Sequence, residues 1–292
     1  MTDNPKYLHL DRDFKESILR DSYLYACHKD IEVIKPGNVN INSPHKDTSA
    51  SDYLISSINS GSELFHTSYS LGERILNSIL ATRNETSVNT NLGIIMLCAP
   101  IIHALINYRD LSLKEAIKKT ISDADADDTS KICEAINITS PGGLGNSSRY
   151  DTKSKPKIKL REIMTYSASY DRISYQYHKN FEDIIDFILP NLEKNIIKYD
   201  SDDISISMTF LQILGKIPDS HISRKFGEEI AKKTSNRVND LLKIQDKECS
   251  HDFLVKQLND LDCEYKKKGI NPGTTADLLV ASLMIYRIFK SV

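Results

Sequence analysis

The sequence predicts an all-α protein that forms a single domain. Apolar residues recur at helical spacing in most segments, and no segment alternates apolar and polar residues between hairpin turns as β-strands do. No internal repeat or linker divides the 292 residues, which are enough to build one large core. We therefore predict one helical domain over residues 1–292.

The composition, with 40% hydrophobic and 27% charged residues, is that of a soluble globular protein. A net charge of −2 argues against general attraction to nucleic acid or to membranes. The charged N-terminal segment lacks the apolar stretch of a signal peptide, and the most apolar run is too short to span a bilayer. The five cysteines show no metal-binding spacing, so we predict free thiols in a reducing cytoplasm.

Four helices are predicted in the first part of the chain. Helical spacing of apolar residues predicts three of them, over residues 10–33, 53–58 and 71–80. Asp47 or Thr48 would cap the second of these, and Gly61 would end it. The fourth, from Leu92 to Ile106, is apolar on nearly every face, so we expect its polar N-terminus to lie inside the fold.

The remainder of the chain also shows helical periodicity. The predicted helices cover residues 113–121, 160–177, 181–195, 226–244, 253–268 and 278–289. Residues 204–215 fit a helix, with a strand as the alternative because the segment starts with β-branched residues. Thr274 or Thr275 would cap the last helix and place Asp277 in its first turn.

An aspartate-rich segment follows the helix predicted over 113–121. Asp123, Asp125, Asp127 and Glu134 partly match a calcium-binding loop, but Asp128 stands where that loop requires glycine. The pattern therefore favours a charged turn that caps a helix.

Five polar clusters recur at helix ends or breaks along the chain. They are Lys35 to Asp47, Ser87 to Gly93, Pro141 to Gly145, Asp219 to Lys225 and Asn271 to Asp277. Helix N-termini and glycine-rich turns suit phosphates, whereas carboxylates suit a divalent metal. We therefore predict a central polar pocket that is lined by helix ends.

These clusters resemble, in order, those of the triphosphoribosyl-dephospho-CoA synthase family. The motifs that carry the resemblance are Lys35-Pro36-Gly37, His45-Lys46-Asp47, Val88-Asn89-Thr90-Asn91-Leu92-Gly93, Pro141-Gly142-Gly143-Leu144-Gly145, Asp219-Ser220-His221-Ile222-Ser223-Arg224-Lys225 and Gly269-Ile270-Asn271-Pro272-Gly273-Thr274-Thr275-Ala276-Asp277. The resemblance extends from about Ala26 to Ile288, which is nearly the whole chain.

The resemblance implies an all-helical transferase. Such an enzyme moves the triphosphoribosyl group of ATP to a ribose hydroxyl of dephospho-CoA and releases adenine, and its product is the precursor of an acyl-carrier prosthetic group. The implied partners are ATP and a dephospho-CoA-like acceptor, without nucleic acid or membrane, and a homodimer is compatible with the sequence.

One motif departs from the family pattern. Family members that act on dephospho-CoA tend to read N-T-H-K-G where this chain has Asn89-Thr90-Asn91-Leu92-Gly93. The N-T-N-L-G form is similar to a short stand-alone branch associated with tetrahydromethanopterin-linked one-carbon metabolism. The alternatives are therefore another cofactor-biosynthesis enzyme on the same scaffold, or a nucleotide-binding protein without catalysis.

The resemblance and the chemistry that it implies select candidate site residues. Removal of adenine passes through an oxocarbenium-like state, which needs carboxylates and proton transfer, while the triphosphate needs Mg²⁺. The predicted catalytic residues are Asp47, His45, Glu32 and His221, and the predicted metal ligands are Glu32, Asp47 and Asp277. The predicted nucleotide and phosphate ligands are Lys35, Lys46, Asn89, Thr90, Asn91, Gly142, Gly143, Arg224, Lys225, Asn271 and Gly273.

Each candidate also has a structural interpretation. Glu32 could face solvent, Asp47 and Asp277 could act only as helix caps, and His221 could be a structural histidine. The lysines could be solvated. Tyr175 and Tyr177 could stack on an adenine, but tyrosines at such spacing are more often part of a core.

Overall fold

A computed structural model describes residues 16–41, 43, 49–86, 91–139, 152, 157–245 and 250–291. Across these residues the chain forms α-helices and one π-helical segment, and the only extended pairing is an isolated bridge between Asn40 and Ser43. The prediction of a single-domain all-α fold is confirmed.

The helices follow one another closely along the chain. They are α1 (Glu16–Glu32), α2 (Ala50–Leu64), α3 (Leu71–Glu85), α4 (Leu92–Asn107), α5 (Leu113–Asp123), α6 (Ala126–Thr139), α7 (Leu160–Ser167), α8 (Arg172–His178), the π-helical segment (Asp183–Ile188), α9 (Leu189–Lys198), α10 (Asp202–Lys216), α11 (Ser220–Phe226), α12 (Glu228–Gln245), α13 (His251–Lys267) and α14 (Gly273–Lys290).

Helices α4 and α14 form the interior of the fold. Along α4, buried side chains occupy nearly every face, and α14 packs against α1, α4, α10 and the π-helical segment. Each fully buried leucine or isoleucine in these helices contributes roughly 1.5–3 kcal/mol through burial of its apolar surface. Because both helices are internal, their N-termini lie within the protein, as the apolar pattern of α4 predicted.

Helix α2 begins and ends differently from the prediction. Ser49 caps it in a capping box with Asp52, and the helix continues through Gly61 to Leu64. The predicted caps Asp47 and Thr48 lie outside the described residues. Gly61 does not end the helix, because its φ is negative and not in the left-handed region that terminates many helices. A Cβ at this position would lie 3.7 Å from the ring of Tyr23.

The predicted helix over 160–177 is two helices. Asp171 accepts a hydrogen bond from the backbone N–H of Ser174 and so starts α8 as a separate element. The predicted helix over 181–195 instead begins as the π-helical segment and continues as α9. Pro190 lies in the first turn of α9, a position where proline is favoured because its lack of a backbone N–H is tolerated there.

Two uncertain segments are helical. Residues 202–216 form α10, with Ser201 as its cap, because Ile204, Ile206 and Phe210 all pack in the core when the segment is helical. The helical interpretation is therefore confirmed over the strand alternative. The polar cluster Asp219 to Lys225 also contains a short helix, α11.

The aspartate-rich segment is a helix cap. Asp125 accepts hydrogen bonds from the N–H groups of Asp127 and Asp128, and Asp128 in turn accepts bonds from Ser70 Oγ and Gly72 N at the start of α3. The interpretation as a charged, capping turn is confirmed, because these carboxylates serve to join α3 to α6.

Four cysteines are free thiols, as predicted. Cys27, Cys98 and Cys133 are buried and Cys263 is exposed, whereas Cys249 lies outside the described residues. Within the described ranges, none of the helices has both the length and the apolar character needed to cross a bilayer.

The contact between α3 and α6 predicts an effect on stability. A Cβ at Gly72 would lie 2.6 Å from Asp128 Cα and 2.7 Å from its carbonyl oxygen, so Gly72→Ala should reduce the free energy of unfolding by about 1–3 kcal/mol. Chemical denaturation followed by circular dichroism would measure this change.

Gly61→Ala is the matched control, because its Cβ would meet no atom closer than 3.7 Å. Alanine favours a helix interior over glycine by up to about 1 kcal/mol, so this variant should be as stable as the parent or more stable. Equal destabilisation of the two variants would contradict the packing described for Gly72.

Candidate active site

The Asp277 carboxylate lies where the internal helix ends meet. It belongs to the second turn of α14 and faces the first turn of α4, where a Cβ at Gly93 would lie 2.0 Å from Asp277 Oδ2. Burial raises the pKa of Asp277 well above its ordinary value, and the negative charges of Asp30, Asp219 and, to a smaller extent, Asp171 raise it further. Among the described residues, no group donates a hydrogen bond to this carboxylate. Asp277 is thus the centre of an aspartate cluster.

Asp219 joins two helix starts within this cluster. Its Oδ1 accepts a hydrogen bond from Ile222 N (3.0 Å) and thereby caps α11. Its Oδ2 accepts bonds from the N–H (2.7 Å) and the hydroxyl (2.8 Å) of Thr275 in the first turn of α14. The predicted capping of α14 by Thr274 or Thr275 was therefore wrong, because the helix begins at Gly273 after Pro272. Asp219, the N-cap of α11, accepts the hydrogen bond of the Thr275 N–H in the first turn of α14.

The Asp219 bonds bring His221 against the start of α14. A Cβ at Gly273 would lie 2.9 Å from His221 Nδ1, so glycine is the residue that allows this close approach. The structure therefore brings together the predicted residues His221 and Gly273, and Asp277 follows Gly273 by one helical turn on α14.

An ion pair between Asp171 and Arg224 borders the cluster. Arg224 Nη1 lies 2.6 Å from Asp171 Oδ2, and its positive charge lowers the pKa of Asp277 against the larger effects of burial and carboxylates. Ser220 Oγ accepts a hydrogen bond from Arg172 N (3.2 Å) and bonds the Thr274 hydroxyl (3.0 Å). Helices α8, α11 and α14 are thus connected next to Asp277.

Asp30 reaches the cluster from the end of α1 and is held by Lys35. The Lys35 ammonium is fully buried, and it donates hydrogen bonds to the Asp30 carbonyl and to Asn38 Oδ1 (2.9 Å). Lys35 Nζ also forms a buried ion pair with Asp30 Oδ1 at 3.1 Å. Burial lowers the pKa of Lys35, and the Asp30 charge opposes that shift.

The loop after α1 is fastened to the segment before α14. Asn38 Nδ2 donates to Asn271 Oδ1 (3.0 Å), and Gly37 N donates to Asp262 Oδ1 (2.8 Å). Gly37 has φ +84°, and a Cβ there would lie 2.7 Å from the Ile270 carbonyl oxygen, so the position requires glycine. The predicted residues Lys35 and Asn271 therefore belong to one hydrogen-bonded network.

The amide of Asn91 is bonded to α2 and α3. Its Nδ2 lies 3.2 Å from Ser56 O, 3.3 Å from Ser60 Oγ and 3.2 Å from Thr82 Oγ1, and it does not cap α4. These bonds fix where α4 begins, and with it the position of Gly93 beside Asp277. The predicted contact of Asn91 with a nucleotide stays a prediction.

Two predicted residues lie on the surface. Glu32 forms ion pairs with Lys29 (3.1 Å) and His28 (3.9 Å) on its own helix, and Lys29 also pairs with Asp203 of α10. Lys225 is exposed and lies over the Phe226 ring. The carboxylate that α1 places within Coulombic range of Asp277 is Asp30, which lies on the buried face of the helix.

Seven predicted site residues lie outside the described residues, so their roles stay predictions. They are His45, Lys46, Asp47, Asn89, Thr90, Gly142 and Gly143.

The sequence analysis did not select Asp30, Asp171 or the carboxylate of Asp219 as site residues. The signal for Asp30 was its spacing, because it follows the buried residues Tyr23 by seven positions and Cys27 by three, and so continues an apolar face of α1. A charged residue on such a face is rarely left without a function or a partner.

The raised pKa of Asp277 predicts a pH-dependent change in stability. The folded chain retains the Asp277 proton at pH values where the unfolded chain has lost it, so stability decreases as pH rises from about 4, the pKa of an unfolded aspartate. Asp277→Asn stays neutral and should unfold at a temperature higher by roughly 2–4 °C at neutral pH, with the difference disappearing near pH 3. Thermal unfolding at several pH values would measure it.

Asp240→Asn provides the control, because the Asp240 side chain is 66% exposed. It should leave the unfolding temperature unchanged at each pH. A stabilisation of Asp277→Asn that grows on acidification would contradict the assignment.

The sequence matches the model of one protein family. The profile of the CitG family, described as ATP:dephospho-CoA triphosphoribosyl transferase, matches residues 16–292. No curated protein matches the chain.

A solved structure shares the fold. It comes from Archaeoglobus fulgidus and is described as a triphosphoribosyl-dephospho-CoA synthase. The two chains are 20% identical and superpose with a TM-score of 0.59, covering 80% of this chain and 97% of the other. Because the family match extends over nearly the whole sequence, the chain belongs to the CitG family of ATP:dephospho-CoA triphosphoribosyl transferases and is a transferase.

Proposed function

We propose that the protein transfers the triphosphoribosyl group of ATP to a ribose hydroxyl of dephospho-CoA and releases adenine. Membership of the family supports this proposal. The structural observation that carries it is the Asp277 carboxylate, which lies between the starts of α4 and α14 with three further aspartates in Coulombic range.

The aspartate cluster suits the chemistry of this transfer. The bond between adenine and the anomeric carbon breaks, a bond from that carbon to the acceptor oxygen forms, and the acceptor's proton is lost while adenine gains one. Positive charge develops on the sugar as the base departs, and nearby carboxylates stabilise it. His221, adjacent to Gly273 and close to this cluster, is the described candidate for the proton transfers.

We propose that Mg²⁺ accompanies the triphosphate. Among the described residues, no group of three or more His, Cys, Asp or Glu side chains could hold a metal ion alone. Proteins commonly hold Mg²⁺ through one or two carboxylates together with substrate phosphates. Asp277, which accepts no hydrogen bond from the described residues, would hold the ion together with the substrate phosphates, and Asp30 is a second carboxylate in Coulombic range. Bound Mg²⁺ would neutralise charge on the triphosphate.

The proposal is tested by incubating the protein with ATP, Mg²⁺ and dephospho-CoA and measuring free adenine by chromatography. Adenine should appear together with a triphosphoribosylated acceptor, and both should require Mg²⁺. Consumption of ATP without free adenine would instead indicate a different transferase, and binding of ATP without turnover would indicate a nucleotide-binding protein.

Gly93 should be essential for the reaction. An added Cβ would lie 2.0 Å from Asp277 Oδ2 and would displace that carboxylate, so Gly93→Ala should lower the rate of adenine release by about 100-fold. The rate constants of purified variants would be compared at saturating ATP.

Gly61→Ala is again the control, since its Cβ has room in α2. It should retain the parent rate, and both variants should keep the parent circular dichroism. Full activity of Gly93→Ala would remove Asp277 from the proposed reaction centre.

A further inference from the structure

Beside the aspartate cluster, Arg172 and Tyr175 form a stacked pair. The guanidinium carbon of Arg172 lies 3.7 Å from the centre of the Tyr175 ring. At this distance a planar guanidinium lies against the aromatic face. The Arg172 side chain is 27% exposed, so the pair is accessible from outside the core.

Asp183 holds the guanidinium in one orientation. Its two carboxylate oxygens accept bonds from Arg172 Nε (2.7 Å) and Nη2 (2.8 Å). Such a two-point ion pair fixes the plane of the arginine as well as its position. The flat face of the pair is therefore held in place before any ligand binds.

An uncommon backbone places Asp183. Asn180 and Phe181 have φ of +52° and +63°, and after Glu182 the π-helical segment starts at Asp183. Non-glycine residues in this region of φ are strained, and π-helical turns occur frequently at functional sites. Phe181 is fully buried, so core packing stabilises the turn.

The stacked pair is connected to the aspartate cluster. Arg172 N donates to Ser220 Oγ, and Asp171, the preceding residue, pairs with Arg224 and lies in Coulombic range of Asp277. A nucleotide whose sugar lies at the aspartate cluster would therefore have the stacked pair on the adjoining residues of α8.

Tyr177 shows how a core tyrosine differs from Tyr175. It is fully buried and donates a hydrogen bond from its hydroxyl to Met96 O (2.6 Å), so its ring is enclosed by the core and its hydroxyl has a partner there. Tyr175 is partly exposed, and its hydroxyl lies 3.3 Å from Glu182. Of the two tyrosines that could stack on a base, the structure leaves Tyr175 accessible.

We propose that Arg172 and Tyr175 form a stacking surface for a planar heterocyclic base, the adenine of the nucleotide substrate. The identity of the base rests on the proposed function, whereas the stacking surface rests on the geometry of the pair. Aromatic side chains and arginine can stack on a base of any type, because every base has a π-face. The hydrogen bond from Arg172 N to Ser220 and the ion pair of Asp171 with Arg224 connect the pair to the aspartate cluster. A base on the stacked pair would therefore lie next to the carboxylates that act on its sugar.

The experiment is isothermal titration of the full chain with ATP and, separately, with inorganic tripolyphosphate. Loss of one stacking contact weakens binding by about tenfold, so Tyr175→Ala should weaken ATP binding to that extent and leave tripolyphosphate binding unchanged. Tyr175→Phe keeps the ring and should bind ATP like the parent. Arg172→Lys keeps the charge but loses the planar face, and should behave like Tyr175→Ala.

Tyr199→Ala is the control, because Tyr199 also carries a cation over its ring, from Lys198, but belongs to the end of α9. It should leave ATP binding unchanged. Equal weakening of ATP and tripolyphosphate by Tyr175→Ala, or no weakening of ATP, would overturn the stacking surface.

The same series separates this inference from the proposed function. If the parent protein releases adenine but Tyr175→Ala binds ATP normally, the function stands and the stacking surface is wrong. If the parent binds ATP in a Tyr175-dependent manner without releasing adenine, the stacking surface stands and the function is wrong. A parent protein that binds no ATP overturns both.

Discussion

Repulsion between carboxylates is the constraint on which the candidate active site depends. Burial raises the pKa of Asp277 most, and the charges of Asp30, Asp219 and Asp171 raise it further. The fold offsets this repulsion with Arg224, with the enclosed Lys35 ammonium and with the positive end of the α4 dipole beside Gly93. Such an arrangement reduces stability, and a protein retains it where the charges serve a reaction.

The four carboxylates differ in how far the protein satisfies them. Asp219 accepts three hydrogen bonds from two helix starts, and Asp171 both caps α8 and pairs with Arg224. Those two are therefore committed to holding the helices together. Asp30 is paired with the buried Lys35 ammonium at 3.1 Å, whereas Asp277 receives no hydrogen bond from the described residues. This difference makes Asp277 the carboxylate from which we expect the chemistry.

Sequence periodicity predicted the helices well because burial of an apolar face determines most of them. A motif led to Asp277, and the prediction chose Glu32 on α1, whereas the carboxylate of α1 within Coulombic range of Asp277 is Asp30. Two positions on a helix point to different faces, so Asp30 is buried and Glu32 is exposed. The predicted role of Glu32 stays a prediction. The division between α7 and α8 was missed because both helices keep the same apolar period, and the capping by Asp171 depends on backbone geometry that the period does not contain.

The altered motif at Asn91-Leu92 gains a structural meaning from the position of Asn91. Its amide donor is surrounded by three oxygens of α2 and α3, so a histidine there would have to satisfy a different set of acceptors. The start of α4 would then shift relative to α2 and α3, and Gly93 would move with it against Asp277. A change at this position therefore affects the reaction centre through the placement of a helix. Differences between branches of the family at this motif should therefore be sought in the geometry around Asp277 as well as in the imidazole and ammonium groups themselves.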